Sequence, residues 1–268
     1  MKDKVVVITG ASSGIGKALS YEFCSRGAKV VMAARSIEKL AGIESELKKS
    51  GAEVLSVATD VSIEGDCSRL IDATVKEFGR IDVLINNAGI SMRALFRDTD
   101  LAVIRQLMDV NFWGTVYCTK FALPHLLAVN GSVAGVSSIA GFKGLPGRTG
   151  YSASKFARQG FLETLRIENL KKGLHVLIVC PGFTASNIRN TALAADGSFQ
   201  GESPRNENEM MKPEEVAKKI ATSIERRRKL LIITALGKLT VFLNKIFPFT
   251  MDRMVYNQFA KEPDSPLN

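Results

Sequence analysis

The 268-residue sequence predicts one α/β domain built as a doubly wound parallel sheet with helices on both faces. Short runs rich in β-branched residues recur along the chain without apolar–polar alternation, which suits strands buried on both faces. Helical patterns separate them, long enough for crossover connections between parallel neighbours. A glycine-rich turn joins the first run to the first helix, where such folds bind ligands. Apolar residues make up 46% of the chain, ample for a continuous core.

The first strand is read at 4–9, centred on Val5-Val6-Val7-Ile8, and is followed by a helix over 17–26. Strand 29–33, helix 37–49, strand 54–58, helix 67–78 and strand 83–85 continue the alternation. Residues 101–127 read as one long helix, followed by strand 132–136, helix 151–171 and strand 175–179. The stretch 184–211 is rich in Gly, Ser, Asn and Glu and has neither periodicity. After a late strand such an insert lies over the carboxyl edge of the sheet, so it is expected to be a substrate lid. Lys212-Pro213-Glu214-Glu215 opens a helix reaching Arg228, because proline fits the first turn and acids suit its positive end. The last strand is read at 230–234, which makes 1–235 the catalytic domain and 236–268 a helical extension.

Composition excludes several classes. The formal charge of +9 is spread over the chain apart from Arg226-Arg227-Arg228-Lys229, with no aromatic-studded basic motif, so nucleic acid is not expected as a partner. Cys24, Cys67, Cys118 and Cys180 are far apart and join only His125 and His175, so no metal site is expected. Both histidines read as structural. Unpaired cysteines and a chain that opens on a strand predict reduced thiols and a cytoplasmic location without a leader.

After the first strand stands Thr9-Gly10-Ala11-Ser12-Ser13-Gly14-Ile15-Gly16. Glycines allow a tight turn and a close approach of backbone to a diphosphate, and the helix start presents free N–H donors. Gly10, Ser12, Ser13, Gly14, Ile15 and Gly16 are therefore the expected phosphate contacts. The spacing Gly-x-x-x-Gly-x-Gly resembles the short-chain dehydrogenase/reductase family. Further landmarks follow in the family's order: Asp60-Val61 after the third strand and Asn86-Asn87-Ala88-Gly89 ending the fourth. Next come Asn111, Ser138, Tyr151 and Lys155 at the positions of the catalytic tetrad, and Pro181-Gly182 after the sixth strand. The resemblance covers about residues 4–235 and implies a Rossmann sheet of seven strands in the order 3-2-1-4-5-6-7. It implies a nicotinamide dinucleotide with Asp60 and Val61 at the adenine and Asn87, Ala88 and Gly89 lining its path. Thr184 or Ser186 would supply a hydroxyl beside Pro181 and Gly182 to bind the carboxamide.

The end of the second strand reads Met32-Ala33-Ala34-Arg35-Ser36. An acid there would bind the ribose hydroxyls of NAD, whereas this chain offers a guanidinium and a hydroxyl that suit a 2′-phosphate. NADP (NADPH) is therefore expected over NAD. Ser13 stands where some NADP-using relatives carry a second basic residue, so the prediction rests on Arg35.

Tyr151 and Lys155 are four residues apart and share one helix face. A phenol titrates near about 10 and is a poor base at neutral pH. A neighbouring ammonium and an oxidised nicotinamide would lower that value, letting Tyr151 exchange a proton with a carbonyl or alcohol oxygen. The resemblance gives Lys155 a second role at the nicotinamide ribose. It gives Ser138, thirteen residues before Tyr151, a hydrogen bond to the substrate oxygen, and Asn111 a water linking Lys155 to solvent.

Beyond the last strand, Leu236, Leu239, Phe242, Leu243, Ile246 and Phe247 recur at helical spacing. Lys238, Asn244, Lys245 and Pro248 oppose a membrane span. Packing on the core or on a partner subunit is expected ahead of peripheral contact of 236–249 with a bilayer. This tail is loosely similar to that of the hydroxysteroid and lipid-carbonyl reductase branch, implying a hydrophobic steroid, lipid or long-chain ketone as substrate. The alternatives are a ketoreductase acting on acyl carrier protein thioesters and a dinucleotide-binding regulator without chemistry. Relatives pair through two long helices, so a homodimer or homotetramer through 101–127 and 151–171 is expected.

Overall fold

Strand β1 (Val5–Thr9) is buried along its whole length, as a strand covered on both faces must be. The computed structural model describes residues 1–185, 188–201, 210–262 and 265–267. In it β1 pairs in parallel with β2 (Lys29–Ala34) and β4 (Val83–Asn86). The sheet extends through β3 (Val54–Ala58) on one side and β5 (Ser132–Val136), β6 (His175–Cys180) and β7 (Leu230–Ile232) on the other. All pairings are parallel and the order is β3-β2-β1-β4-β5-β6-β7, as the sequence predicts.

Successive strand residues point to opposite faces, and each face has its own core. Val6, Ile8, Val30 and Met32 pack against α1 (Gly14–Ser25), α2 (Ile37–Lys49) and α7 (Pro213–Glu225) through residues such as Phe23, Leu40 and Ile220. Val7, Val31, Leu84 and Val133 pack on the other face against α3 (Glu64–Phe78), α5 (Gly114–Ala128) and α6 (Thr149–Glu168) through Leu70, Leu126 and Leu162. Cys67 and Cys118 meet inside this second core, their Sγ atoms 3.4 Å apart and unbridged.

Several boundaries differ from the sequence reading. The expected helix over 101–127 is two helices, α4 (Leu101–Met108) and α5, joined by a π-helical turn at Asp109–Trp113. Asn111 holds the wide turn: its side-chain amide bonds the Ile90 backbone, and its backbone carbonyl accepts from Arg158. The helix expected at 151–171 ends at Glu168, followed by a 3₁₀ turn and Gly173 in the left-handed region at φ 74°. The last strand stops at Ile232 because Thr234 caps α8 (Ala235–Ile246), accepting from the Gly237 N–H at 3.1 Å. Pro248 then begins α9 (Pro248–Ala260).

The expected lid over 184–211 is described at 184–185, 188–201 and 210–211. There it runs beside the loop after β4, with Leu193 buried and paired with Met92. The remainder of that expectation, including Ser186, lies outside the described residues. In the extension, Val241 and Met251 turn inward, and Asn244 donates to the Phe142 carbonyl at 2.9 Å. Leu236, Leu239, Phe242, Ile246 and Phe247 are instead exposed and Leu243 is half-buried. Most of the apolar row therefore does not pack on its own chain's core; α8 is anchored by Val241 and Asn244, and α9 by Met251 and by the bonds of Lys143 to Asp252 and the Pro248 carbonyl. Among the described residues no helix is long and apolar enough to cross a membrane.

His175 tests the folded state. Its ring bridges Ser132 Oγ (3.0 Å) and the Arg228 carbonyl (2.8 Å), tying β5 to the segment before β7. Burial, aided by the Arg227 charge, depresses its pKa below the ordinary 6.5 against the opposing Arg228 carbonyl. The unfolded chain therefore binds the proton more readily, so this stabilisation is full above about pH 6.5 and is lost as pH falls below it. Thermal unfolding should show a midpoint that drops between about pH 6.5 and 5, less steeply in H175Q.

Candidate active site

The carboxyl ends of β1, β2, β4, β5 and β6 open into a cleft of about 540 Å³, the position where open parallel sheets bind ligands. Its floor is set by the glycine turn. Gly10 adopts φ 66°, open to glycine at little cost, and an added Cβ at Gly16 would lie 2.2 Å from the Gly10 carbonyl. The Ser13 side chain makes no capping bond, so the first-turn N–H groups of α1 face the cleft for a ligand. This floor is locked to the turn after β4. Thr9 Oγ1 accepts from the Asn87 and Ala88 N–H groups, each at 3.0 Å, and Asn87 Nδ2 donates to the Thr9 carbonyl at 2.9 Å. Replacing Gly16 by Ala should push this assembly apart and weaken dinucleotide binding about tenfold or more by fluorescence titration, matching the ~1–3 kcal/mol of a forced contact.

Gly10, Ser12, Ser13, Gly14, Ile15, Arg35, Ser36, Asp60, Val61, Asn87, Ala88, Gly89, Pro181, Gly182 and Thr184 all line the cleft, whereas Gly16 supports it from behind. Ser36 is committed as the N-cap of α2, accepting from the Lys39 N–H at 3.3 Å and donating to Glu38 at 2.9 Å. Lys39 joins Arg35 in the lining, a cation the sequence reading passed over although it lies one helical turn further on. Asp60 holds Ser62 through its carboxylate, at 2.6 Å from the hydroxyl and 3.0 Å from the N–H. The Thr184 hydroxyl donates to the Gly182 carbonyl at 3.1 Å.

Ser138, Tyr151 and Lys155 meet at the far end of the cleft. The Lys155 Nζ lies 5.3 Å from the Tyr151 ring centroid and donates to the Val136 carbonyl at 3.2 Å. Ser138 follows β5 and caps the 3₁₀ turn at Ile139–Gly141, its Oγ accepting from the Ala140 N–H, and it hydrogen-bonds the Tyr151 phenol. Ser137 is buried and accepts from Gln159 Nε2 at 3.0 Å, so the two adjacent serines differ in role. Asn111 is fully buried, its Nδ2 on Ser154 Oγ and the Ile90 carbonyl and its Oδ1 on the Ile90 N–H.

The electrostatics correct one expectation. Burial raises the Tyr151 pKa above its ordinary value, against the Ser138 hydrogen bond and the charges of Arg148 and Arg158. Burial also draws Lys155 well below its usual value, with the Arg158 charge adding to it and Cys180 opposing. The neighbouring amine thus does not lower the phenol in the ligand-free chain, because its own charge is disfavoured there. Cys180, at the end of β6, is itself pushed up to about 12 by burial.

Beyond Tyr151 the cleft is bounded by Leu145, Ile188, Phe183, Phe199 and, from α9, Phe259, with Arg148 and Arg189 between them. The glycine cradle, the uncapped helix start and the cleft's length together fit a dinucleotide. Among the described residues no cluster of His, Cys, Asp and Glu could hold a metal ion.

Comparison with known proteins agrees with this architecture. The family model for short chain dehydrogenase matches residues 4–196. The "11-beta-hydroxysteroid dehydrogenase-like 4A" of Arabidopsis thaliana is 43% identical over 195 residues, 72% of this chain and 65% of that protein, so the match spans under two thirds of the relative. A short chain dehydrogenase/reductase from Burkholderia phymatum, solved in complex with NAD, superposes with a TM-score of 0.83 at 26% identity, covering 91% of this chain and 94% of that one. An alcohol dehydrogenase from Thermococcus sibiricus, complexed with 5-hydroxy-NADP, gives 0.78 at 26% identity over 87% and 96%. Sheet order, glycine cradle and ordered motifs thus converge with the match over most of the chain, which belongs to the short chain dehydrogenase family of oxidoreductases.

Proposed function

We propose that the protein is an NADP(H)-dependent oxidoreductase that interconverts a carbonyl and a secondary alcohol on a hydrophobic small molecule, with Tyr151 as general acid–base. The observation that carries this is the convergence of Tyr151, Ser138 and Lys155 at one end of a cleft whose other end is a phosphate cradle. When bound there, the nicotinamide supplies or takes the hydride. The α1 N-terminus and glycine turn would hold the diphosphate, Asp60 and Val61 would border the adenine, and Arg35 with Lys39 would neutralise a 2′-phosphate. Lys155 would bind the ribose hydroxyls, and Thr184 or Ser186 with Pro181 and Gly182 would flank the carboxamide.

Ser138 donates a hydrogen bond to the substrate oxygen and Tyr151 passes it the phenolic proton in reduction, or takes the alcohol proton in oxidation. Asn111 fixes the π-helical turn under Lys155, its Oδ1 close to Gly89, and so borders the path by which Lys155 would regain a proton. The apolar walls from Phe183, Phe199 and Phe259 support a steroid, lipid or long-chain ketone, in keeping with the names of the plant relatives. Exposed Trp113, Phe156 and Ile167 on the two predicted pairing helices support a homodimer or homotetramer, and four free thiols support a reducing, cytoplasmic compartment. The exposed row from Leu236 to Phe249 is assigned to the partner subunit ahead of a bilayer surface.

A panel of sterols, long-chain ketones and acyl-thioester ketones, followed by NADPH absorbance and repeated with NADH, tests the reading. Turnover of free hydrophobic ketones with NADPH is expected. Turnover confined to thioesters favours the acyl carrier ketoreductase, and a clear preference for NADH rejects the role of Arg35.

A further inference from the structure

Arg158 is a fully buried arginine three residues after Lys155 on α6, so the two side chains share a helix face. Its guanidinium is satisfied by backbone oxygens. Nε and Nη2 bond the Asn111 carbonyl at 2.8 and 2.5 Å, Nη2 also reaches Ala88 O at 3.1 Å, and Nη1 bonds Val136 O at 2.5 Å. Among the described residues no carboxylate forms an ion pair with it. Burying a cation without a counter-ion is expensive, and an apolar side chain of similar volume would cost the core less.

The three carbonyls place that charge at the reacting centre. Ala88 belongs to the turn after β4, Asn111 to the π-helical turn, and Val136 ends β5; Lys155 Nζ shares the Val136 oxygen at 3.2 Å. Burial draws the Lys155 pKa well below its ordinary value, whereas Arg158 is drawn only to about 10 and stays charged at neutral pH. The other groups facing the phenol are Ser138 from the turn after β5, Arg148 from the loop before α6 and Cys180 from β6.

We propose that Arg158 is a positioning residue of this centre: it locks the Ala88, Asn111 and Val136 carbonyls together and supplies a buried permanent positive charge, beside that of Arg148, that helps the Tyr151 phenol release its proton. This rests on the acid–base role given above to Tyr151.

The test is a pH titration of the full chain with NADP⁺, labelled with ¹³Cζ-tyrosine, the Tyr151 signal being assigned by its loss in Y151F. In R158M and R158L the Tyr151 titration should move up by about one unit or more, a tenfold fall in acidity, while R158K stays close to wild type. A titration unmoved in folded R158M or R158L, or moved as far in R158K, overturns the proposal. Should the neutral variants fail to fold, K155M decides: with Arg158 left in place the rise stays under about one unit, and a larger one assigns the charge to Lys155 instead. The titration needs no turnover, so retained turnover in Y151F would sink the acid–base reading separately.

Discussion

Replacing Tyr151 by Phe should reduce turnover by about 10²–10⁴-fold while leaving dinucleotide affinity close to wild type. The substitution removes one oxygen and keeps the ring that packs beside Lys155, 5.3 Å from its Nζ. What is lost is the proton that the substrate oxygen must gain in reduction. Because burial raises the phenol's pKa in the ligand-free chain, Tyr151 is protonated at neutral pH and ready to act as an acid. Oxidation of an alcohol needs the opposite form, so its rate should climb with pH through the Tyr151 titration while reduction falls over the same range. Equal turnover by Y151F and wild type, measured by NADPH absorbance, would refute the assignment.

The second large effect is on cofactor choice. Changing Arg35 to Ala should weaken NADPH binding about 10–100-fold and leave NADH binding nearly unchanged, as expected when a charge-assisted pair to a phosphate is lost. Lys39, in the same lining one turn along α2, should retain part of the preference, so R35A/K39A should erase it. The exposed Glu38, bonded to Ser36, would repel a 2′-phosphate bound nearby, so both cations should count toward the preference. Isothermal titration with both dinucleotides separates these contributions. An unchanged ratio of affinities in R35A would remove the basis for NADP.

The fold was legible because its determinants are local and periodic. Val5-Val6-Val7-Ile8, short and β-branched before a glycine turn, reads as a strand covered on both faces, and that turn announces both the helix start and the ligand edge. Tyr151, Ser138 and Lys155 were legible as ordered motifs, and the bond of Ser137 to Gln159 is in keeping with the choice of Ser138. What the sequence hid depends on contacts between distant segments. The π-helical turn at Asp109–Trp113 is enforced by Arg158 and Ile90, neither of which periodicity couples to Asn111. An arginine in an amphipathic helix ordinarily points to water, so nothing marked Arg158 as buried. The docking of α8 through Val241 and Asn244, and of α9 through the bonds of Lys143 to Pro248 and Asp252, was hidden because hydropathy ranks faces without knowing which one finds a partner.

The crystal structure of the full chain with NADPH and a hydrophobic ketone tests the assembly most directly. The diphosphate should lie on the Gly14 and Ile15 N–H groups, with the nicotinamide and the Tyr151 hydroxyl on one carbonyl bond, each within about 3.5 Å of it. A dinucleotide seated elsewhere, or a ketone held away from Tyr151 and Ser138, would contradict it.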